Sequence, residues 1–235
     1  MAFRVTLLAL AALSAAGAPS AGAGTRADAR PAEVRGVVLT ELPMPIPASG
    51  RYLFYLHGKI IEDEGTRPTS PRFGVYEYEK ILEGLAAPGF TVISEARAKG
   101  TVPRVYAAKV AQQVRTLLTA GVAPDRVTVV GFSKGGVIAM LVSSELQVQR
   151  IRYVFMASCG PWIASAPDLH VSGHVLAIHE ASDELAGSCA AAFAQAGKLG
   201  LHREIELHLG GGHGAFFRPH AAWLDPVLAW AVAAE

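Results

Sequence analysis

The feature that most constrains this chain is the stretch from Arg126 to Met140, Arg-Val-Thr-Val-Val-Gly-Phe-Ser-Lys-Gly-Gly-Val-Ile-Ala-Met. Val127–Val130 is a short β-branched run, as expected of a strand buried on both faces of a parallel sheet. Residues 135–146 then read as a helix. Between them lies Gly131-Phe132-Ser133-Lys134-Gly135, a Gly-x-Ser-x-Gly set between strand and helix. In that setting the glycines let strand and helix approach closely, and the turn lifts the serine hydroxyl above the sheet edge as a nucleophile. The helix start also leaves unpaired backbone N–H groups beside it, Lys134 N–H among them. The plainer alternative is a serine that merely N-caps the helix.

The rest of the chain supplies more strands of the same kind. Tyr52–Leu56 reads as a central strand ending at a His57-Gly58-Lys59 turn. A polar loop over 62–72 precedes a helix expected over 75–86. Phe90–Ile93 is the next strand. Val102, Tyr106, Val110, Val114 and Leu118 recur every four residues, giving a helix with one apolar face, closed by Gly121. After the elbow come strands at 153–156 and 175–178, a helix over 185–196, and an alternating edge strand through Ile205, Leu207 and Leu209. Asp225-Pro226 is read as the N-cap and first turn of a closing helix. Strands alternating with helices of this length argue for a mostly parallel α/β sheet with helices on both faces. No internal repeat is visible, and 235 residues, 51% hydrophobic, suit a single large core.

Residues 1–23 read as a secretory signal peptide: Arg4 is the positive n-region, Val5–Ala18 the apolar core and Ala21-Gly22-Ala23 the cleavage site. A membrane anchor is the competing reading, but its apolar run is short and interrupted by Ser14, Gly17 and Pro19. Residues 24–49, with alternating prolines from Pro43 to Pro47, read as an extended lead-in holding at most one edge strand. The domain proper is expected over 50–235. The chain is thus expected to be exported, to the periplasm or outside the cell, with no stable membrane insertion after cleavage. In an oxidising compartment Cys159 and Cys189 are expected to bridge; the alternative is two unrelated buried thiols. A formal net charge of +1 points to no nucleic-acid partner.

A serine hydroxyl becomes a useful nucleophile at neutral pH when a histidine takes its proton and a carboxylate orients that histidine. Ser133, Asp183 and His213 occur in that order, each in a loop directly after an expected strand. In parallel sheets ligands bind at just this edge. The sequence resembles the α/β-hydrolase superfamily, in particular its small, lid-poor members of the dienelactone-hydrolase and carboxylesterase type. The matching residues are His57-Gly58, Gly131–Gly136, Asp183 and His213 in its glycine-rich loop, and the resemblance spans roughly residues 50 to 235. It implies an α/β-hydrolase fold with Ser133 as nucleophile, His213 as general base and Asp183 as orienting acid. It also implies an oxyanion hole from the backbone N–H groups of Lys59 and Lys134. With room for only about one strand before Tyr52, the family's first two strands are expected to be reduced. No insertion is long enough for a large cap.

Each assignment has a rival. Asp183 is also placed to N-cap a following helix, with Glu180 or Glu184 as the acid. Of the other histidines, His57, His174, His179 and His208 read as structural, His202 and His220 as surface side chains. They lack the spacing of a metal site. Lys59, Arg97, Lys99 and Lys134 all follow strands at one sheet edge. They are candidates for steering an anionic substrate, against the plainer reading of solvated loop-tip cations. The function expected is hydrolysis of a small-molecule carboxylic ester, lactone or thioester through an acyl-enzyme, with no cofactor and no metal. The alternative from another class is a non-catalytic α/β-hydrolase-fold binding protein. The sequence assigns no oligomeric state.

Overall fold

A computed structural model describes residues 36–233; the signal peptide expected over 1–23 lies outside the described residues. The strands are β1 (Val37–Leu39), β2 (Tyr52–Leu56), the short pair β3 (Thr69–Ser70) and β4 (Gly74–Val75), β5 (Thr91–Ile93), β6 (Val127–Phe132), β7 (Arg152–Met156), β8 (Ser172–Glu180) and β9 (Lys198–Leu207). The helices are α1 (Lys59–Glu64), α2 (Tyr78–Ala86), α3 (Pro103–Thr119), α4 (Lys134–Leu146), α5 (Ala190–Ala194) and α6 (Ala221–Val232). Seven strands form one sheet in the order β1-β5-β2-β6-β7-β8-β9. Every neighbouring pair in it is parallel.

The sheet is buried on both sides, and alternate residues of each central strand feed opposite cores. Tyr52, Phe54, Val127, Val129, Tyr153 and Phe155 pack under α3 and α4. Leu53, Tyr55, Val130, Phe132, Val154 and Met156 pack under α2 and α6. From β2 the chain winds outward to β5, then returns past β2 to β6 and continues the other way. β2 and β6 therefore flank a topological switch point, the place beyond the carboxyl ends of the strands where parallel α/β sheets bind ligands. His57-Gly58 and Ser133 stand directly after these two strands.

Several elements depart from expectation. The turn expected at residues 57–59 is only two residues, His57 and Gly58, and α1 begins at Lys59, with Ile61 and Glu62 buried beneath it. The helix expected over 75–86 begins only at Tyr78, since Gly74 and Val75 pair with β3. The one expected over 185–196 shrinks to α5, five residues, because the segment before it pairs with Cys159 through Gly187. α6 starts four residues before Asp225. His220 caps it, its side chain accepting the Ala222 N–H at 3.1 Å, and Pro226 lies inside the helix. The Asp-Pro signal placed this start wrongly because a capping histidine is outside the usual cap repertoire.

Cys159 and Cys189 are disulfide-bonded, as expected, across 30 residues of sequence. The bridge ties the loop after β7 to the segment that follows Asp183.

Candidate active site

Ser133 sits between β6 and α4 with φ 54° and ψ −122°, a left-handed backbone uncommon in a residue with a side chain. Packing over-determines it. The Ser133 N–H donates to Met156 C=O at 2.9 Å, and its own carbonyl accepts from Gly136 and Val137. A Cβ on Gly131 would stand 2.2 Å from Gly135 O, and one on Gly135 would stand 1.8 Å from Leu56 O. Glycine is the only residue that fits at either position. Although Ser133 holds the N-cap position of α4, its hydroxyl makes no cap hydrogen bond.

The hydroxyl instead meets His213. Ser133 Oγ lies 2.9 Å from His213 Nε2, and His213 Nδ1 lies 2.7 Å from Asp183 Oδ2. The Asp183 side chain is fully buried, and its other oxygen accepts the Leu185 N–H at 2.8 Å. Burial works against its charge, but the His213 hydrogen bond and the Leu185 N–H outweigh it and hold the carboxyl below its ordinary value. An ionised Asp183 can only accept, so Nδ1 carries the proton of a neutral His213 and Nε2 is free to accept from Ser133. Phe132 and Phe73 wall the imidazole, with ring centroids 4.9 and 6.4 Å away.

The rival carboxylates do other work. Buried Glu180 accepts from Leu209 N–H at 2.9 Å, Gly210 N–H at 3.1 Å and Ser182 Oγ at 3.0 Å. Ser182 Oγ in turn accepts the Gly212 N–H at 3.1 Å. Glu180 therefore braces the glycine loop that carries His213, a role adjacency in sequence did not indicate. Glu184 is exposed and pairs with Arg72 at 2.8 Å. Of the other histidines, His179 is 3.0 Å from Glu206, and His174 accepts the Leu201 N–H at 2.9 Å.

Gly58 brings the loop after β2 against the elbow: a Cβ built on it would lie 3.6 Å from Ser133 Cβ. Lys59 opens α1 and Lys134 opens α4, so the backbone N–H of each has no acceptor within its own helix. His57 shapes this loop from within. Its Nε2 accepts the Arg97 N–H at 2.9 Å, which leaves Nδ1–H to donate to Gly58 O at 2.8 Å. Burial and the nearby Arg97 guanidinium push its pKa down to about 3, so the ring stays neutral.

Of the four candidate steering cations, Arg97 is withdrawn from the surface. Arg97 follows β5 as expected, but its side chain is fully buried against Glu62 at 2.8 Å. A guanidinium pays less for burial when a carboxylate and a carbonyl meet its fork, and Glu62 and His57 C=O supply both. Lys134 Nζ pairs with the other Glu62 oxygen, and Lys59 Nζ with Asp63. Lys99 is exposed at its loop tip. Glu62 is the partner sequence reasoning missed: it lies 35 positions from Arg97 and 72 from Lys134, within a run that reads only as polar loop.

Two hollows flank the hydrogen-bonded pair of Asp183 and His213. One, of about 530 Å³, runs along the glycine loop between Phe73 and Arg218. The other, of about 430 Å³, lies between Pro161 and the segment 183–188. A smaller hollow of about 250 Å³ between Thr66 and Lys80 contains none of Ser133, Asp183 or His213.

No family model and no curated protein matches the chain. Among solved structures, Est1E from Butyrivibrio proteoclasticus superposes with a TM-score of 0.53 at 13% identity, over 80% of this chain and 89% of that one. Est1E with ferulic acid bound gives 0.52 at 12% identity, over 81% and 90%. The chain has the α/β-hydrolase fold. An α/β serine hydrolase without a lid, from Xanthomonas campestris, superposes with a TM-score of 0.49 at 18% identity, over 82% and 85%. In this α/β-hydrolase fold one strand precedes β2 among the described residues, and it runs parallel to its neighbour. The described loops beyond the sheet carry no large cap; they hold only short elements, α1, the β3–β4 pair and the 3-10 turn Pro161–Ser165.

Proposed function

We propose that the protein is a serine hydrolase of small carboxylic esters, working through an acyl-enzyme. The observation that carries this reading is the unbroken relay from Ser133 Oγ through His213 to Asp183, at 2.9 and 2.7 Å, on a strained elbow. Ser133 Oγ attacks the ester carbonyl carbon while His213 Nε2 takes its proton. The carbonyl oxygen becomes an oxyanion and accepts hydrogen bonds from the Lys59 and Lys134 backbone N–H groups. As the intermediate collapses, His213 returns the proton to the leaving alcohol. Water, deprotonated by the same nitrogen, then attacks the acyl-enzyme and releases the acid, restoring Ser133. Asp183 keeps the proton on Nδ1 and stabilises the imidazolium in both halves. The chemistry extends to lactones and thioesters, and the residues themselves perform every step.

Export is part of the same proposal. It is supported by the Cys159–Cys189 bridge, a bond that persists in oxidising compartments. No described helix is long and apolar enough to cross a membrane.

The test is labelling of the purified protein with a fluorophosphonate probe, alongside Ser133→Ala and a heat-denatured control. Labelling is expected in the native protein alone. A folded, disulfide-intact sample that stays unlabelled would overturn the reading.

A further inference from the structure

Three charged side chains meet between α1, the loop after β5 and the start of α4. Arg97 Nε donates to Glu62 Oε1 at 2.8 Å, and both side chains are fully buried. Lys134 Nζ, on a side chain only 17% exposed, donates to Glu62 Oε2. Arg97 Nη2 donates to the His57 carbonyl, and the Arg97 N–H donates to His57 Nε2. The guanidinium also lies 5.4 Å from the centre of the Tyr106 ring.

Stability alone is a poor reason for this arrangement. Removing charges from water costs several kcal/mol per ion, and apolar replacements of buried ion groups of this kind are commonly neutral or better. Its position supplies another reason. Glu62 lies one turn along α1 from Lys59, the residue whose N–H opens that helix. Lys134 opens α4 beside Ser133. Arg97 grips His57, the residue that leads through Gly58 into Lys59. One carboxylate is thus hydrogen-bonded, directly or through Arg97, to the two loops that carry the Lys59 and Lys134 N–H groups. The three side chains together carry one formal positive charge, beside the helix starts that present the Lys59 and Lys134 N–H groups.

We infer that Glu62 is a positioning residue for the reaction: it fixes the separation of the Lys59 and Lys134 backbone N–H groups and holds the positive charge of Lys134 and Arg97 at the oxyanion. This rests on the hydrolase reading above. An interaction of this type matters when charge develops on the carbonyl oxygen, not when the ester first binds, so it acts on kcat. The two backbone donors themselves remain when Lys134 or Glu62 is substituted, so the loss is smaller than removal of a donor.

The experiment compares wild type, Glu62→Gln, Lys134→Met and the double variant on p-nitrophenyl acetate, together with the rate of fluorophosphonate labelling. Glu62→Gln is expected to lower kcat by roughly ten- to a hundredfold, with KM within about twofold. The labelling rate should fall in parallel, because the phosphoryl oxygen occupies the same hole. Lys134→Met should show a smaller loss of the same kind, and the double variant should be no worse than Glu62→Gln, as coupled partners require. Glu62→Gln leaves Arg97 without its carboxylate; if that variant does not fold, Lys134→Met, which keeps the Arg97–Glu62 pair, decides. Wild-type kcat and labelling in whichever variants fold would overturn the inference, as would a loss confined to KM. A wild type that neither hydrolyses nor labels overturns the hydrolase reading along with it, so the two failures separate at the wild-type measurement.

Discussion

At the scale of single residues the site turns on which proton sits where. Asp183 is held ionised by His213 and the Leu185 N–H despite its burial, and this fixes the Nδ1–H tautomer. An asparagine there can present an N–H to Nδ1, which would force the proton onto Nε2 and leave Ser133 without a base. Asp183→Asn should therefore reduce kcat by about 10³–10⁴-fold, with thermal stability near wild type. Steady-state kinetics beside a melting curve checks this, and a loss under tenfold would exclude Asp183 as the orienting acid. Glu180 carries a different expectation. Burial pushes its carboxyl up, but the Leu209 and Gly210 N–H groups and the Ser182 hydroxyl outweigh that and set it below its ordinary 4.5. A folded-state pKa below the unfolded one means its stabilisation is complete above the unfolded value and disappears as pH falls through the folded one. Urea midpoints measured from pH 7 down to 3 should fall more gently in Glu180→Gln than in wild type. Parallel slopes would show that the carboxylate contributes nothing through the glycine loop.

At the scale of elements, the acid loop stands out because little regular structure holds it. Between β8 and the five-residue α5 the chain runs irregularly past Asp183, anchored by Gly187 N–H to Cys159 C=O at 3.0 Å and by the disulfide. Glu204 on β9 also accepts the Cys189 N–H. Closing a 30-residue segment stabilises by on the order of 3–4 kcal/mol in the chain-entropy account. The double variant Cys159→Ala, Cys189→Ala should melt roughly 6–16 °C lower, a shift that scanning calorimetry reads directly. Its kcat should fall further than its KM rises, because the loosened loop carries the residue that orients His213. Equal melting temperatures would mean the surrounding packing already fixes the loop.

At the scale of the whole molecule, the sheet order puts the switch point between β2 and β6, and the described elements beyond it form no large cap. Under the proposed export, the mature protein should have the intact mass of a chain beginning at Gly24, two hydrogens lighter than its fully reduced form. A mass retaining residues 1–23 would reject cleavage, and one without the two-hydrogen deficit would reject the bridge in the mature protein. Local spacing alone made the elbow, the buried strands, the Ser-Asp-His order and the edge strand β9 readable, because strand period and glycine placement are encoded over a few residues. The helix starts at Lys59, Tyr78 and Ala221 were not readable that way; each depends on a contact made by a distant segment or by an unusual cap.

The sequence by itself determined an α/β fold with a serine on a strand-to-helix turn, since only glycine tolerates the 1.8 and 2.2 Å approaches that Gly135 and Gly131 allow. It also narrowed the carboxylate partner of His213 to three neighbouring side chains. Only the tertiary structure decided among them, turning Asp183 toward His213, Glu180 into the glycine loop and Glu184 out to Arg72. It likewise took Arg97 from the expected rim of the pocket and buried it on Glu62. The physical reason is the same in each case. A charged side chain goes where its desolvation is repaid, and that depends on which partners the sheet brings within 3 Å from 30, 35 or 72 residues away.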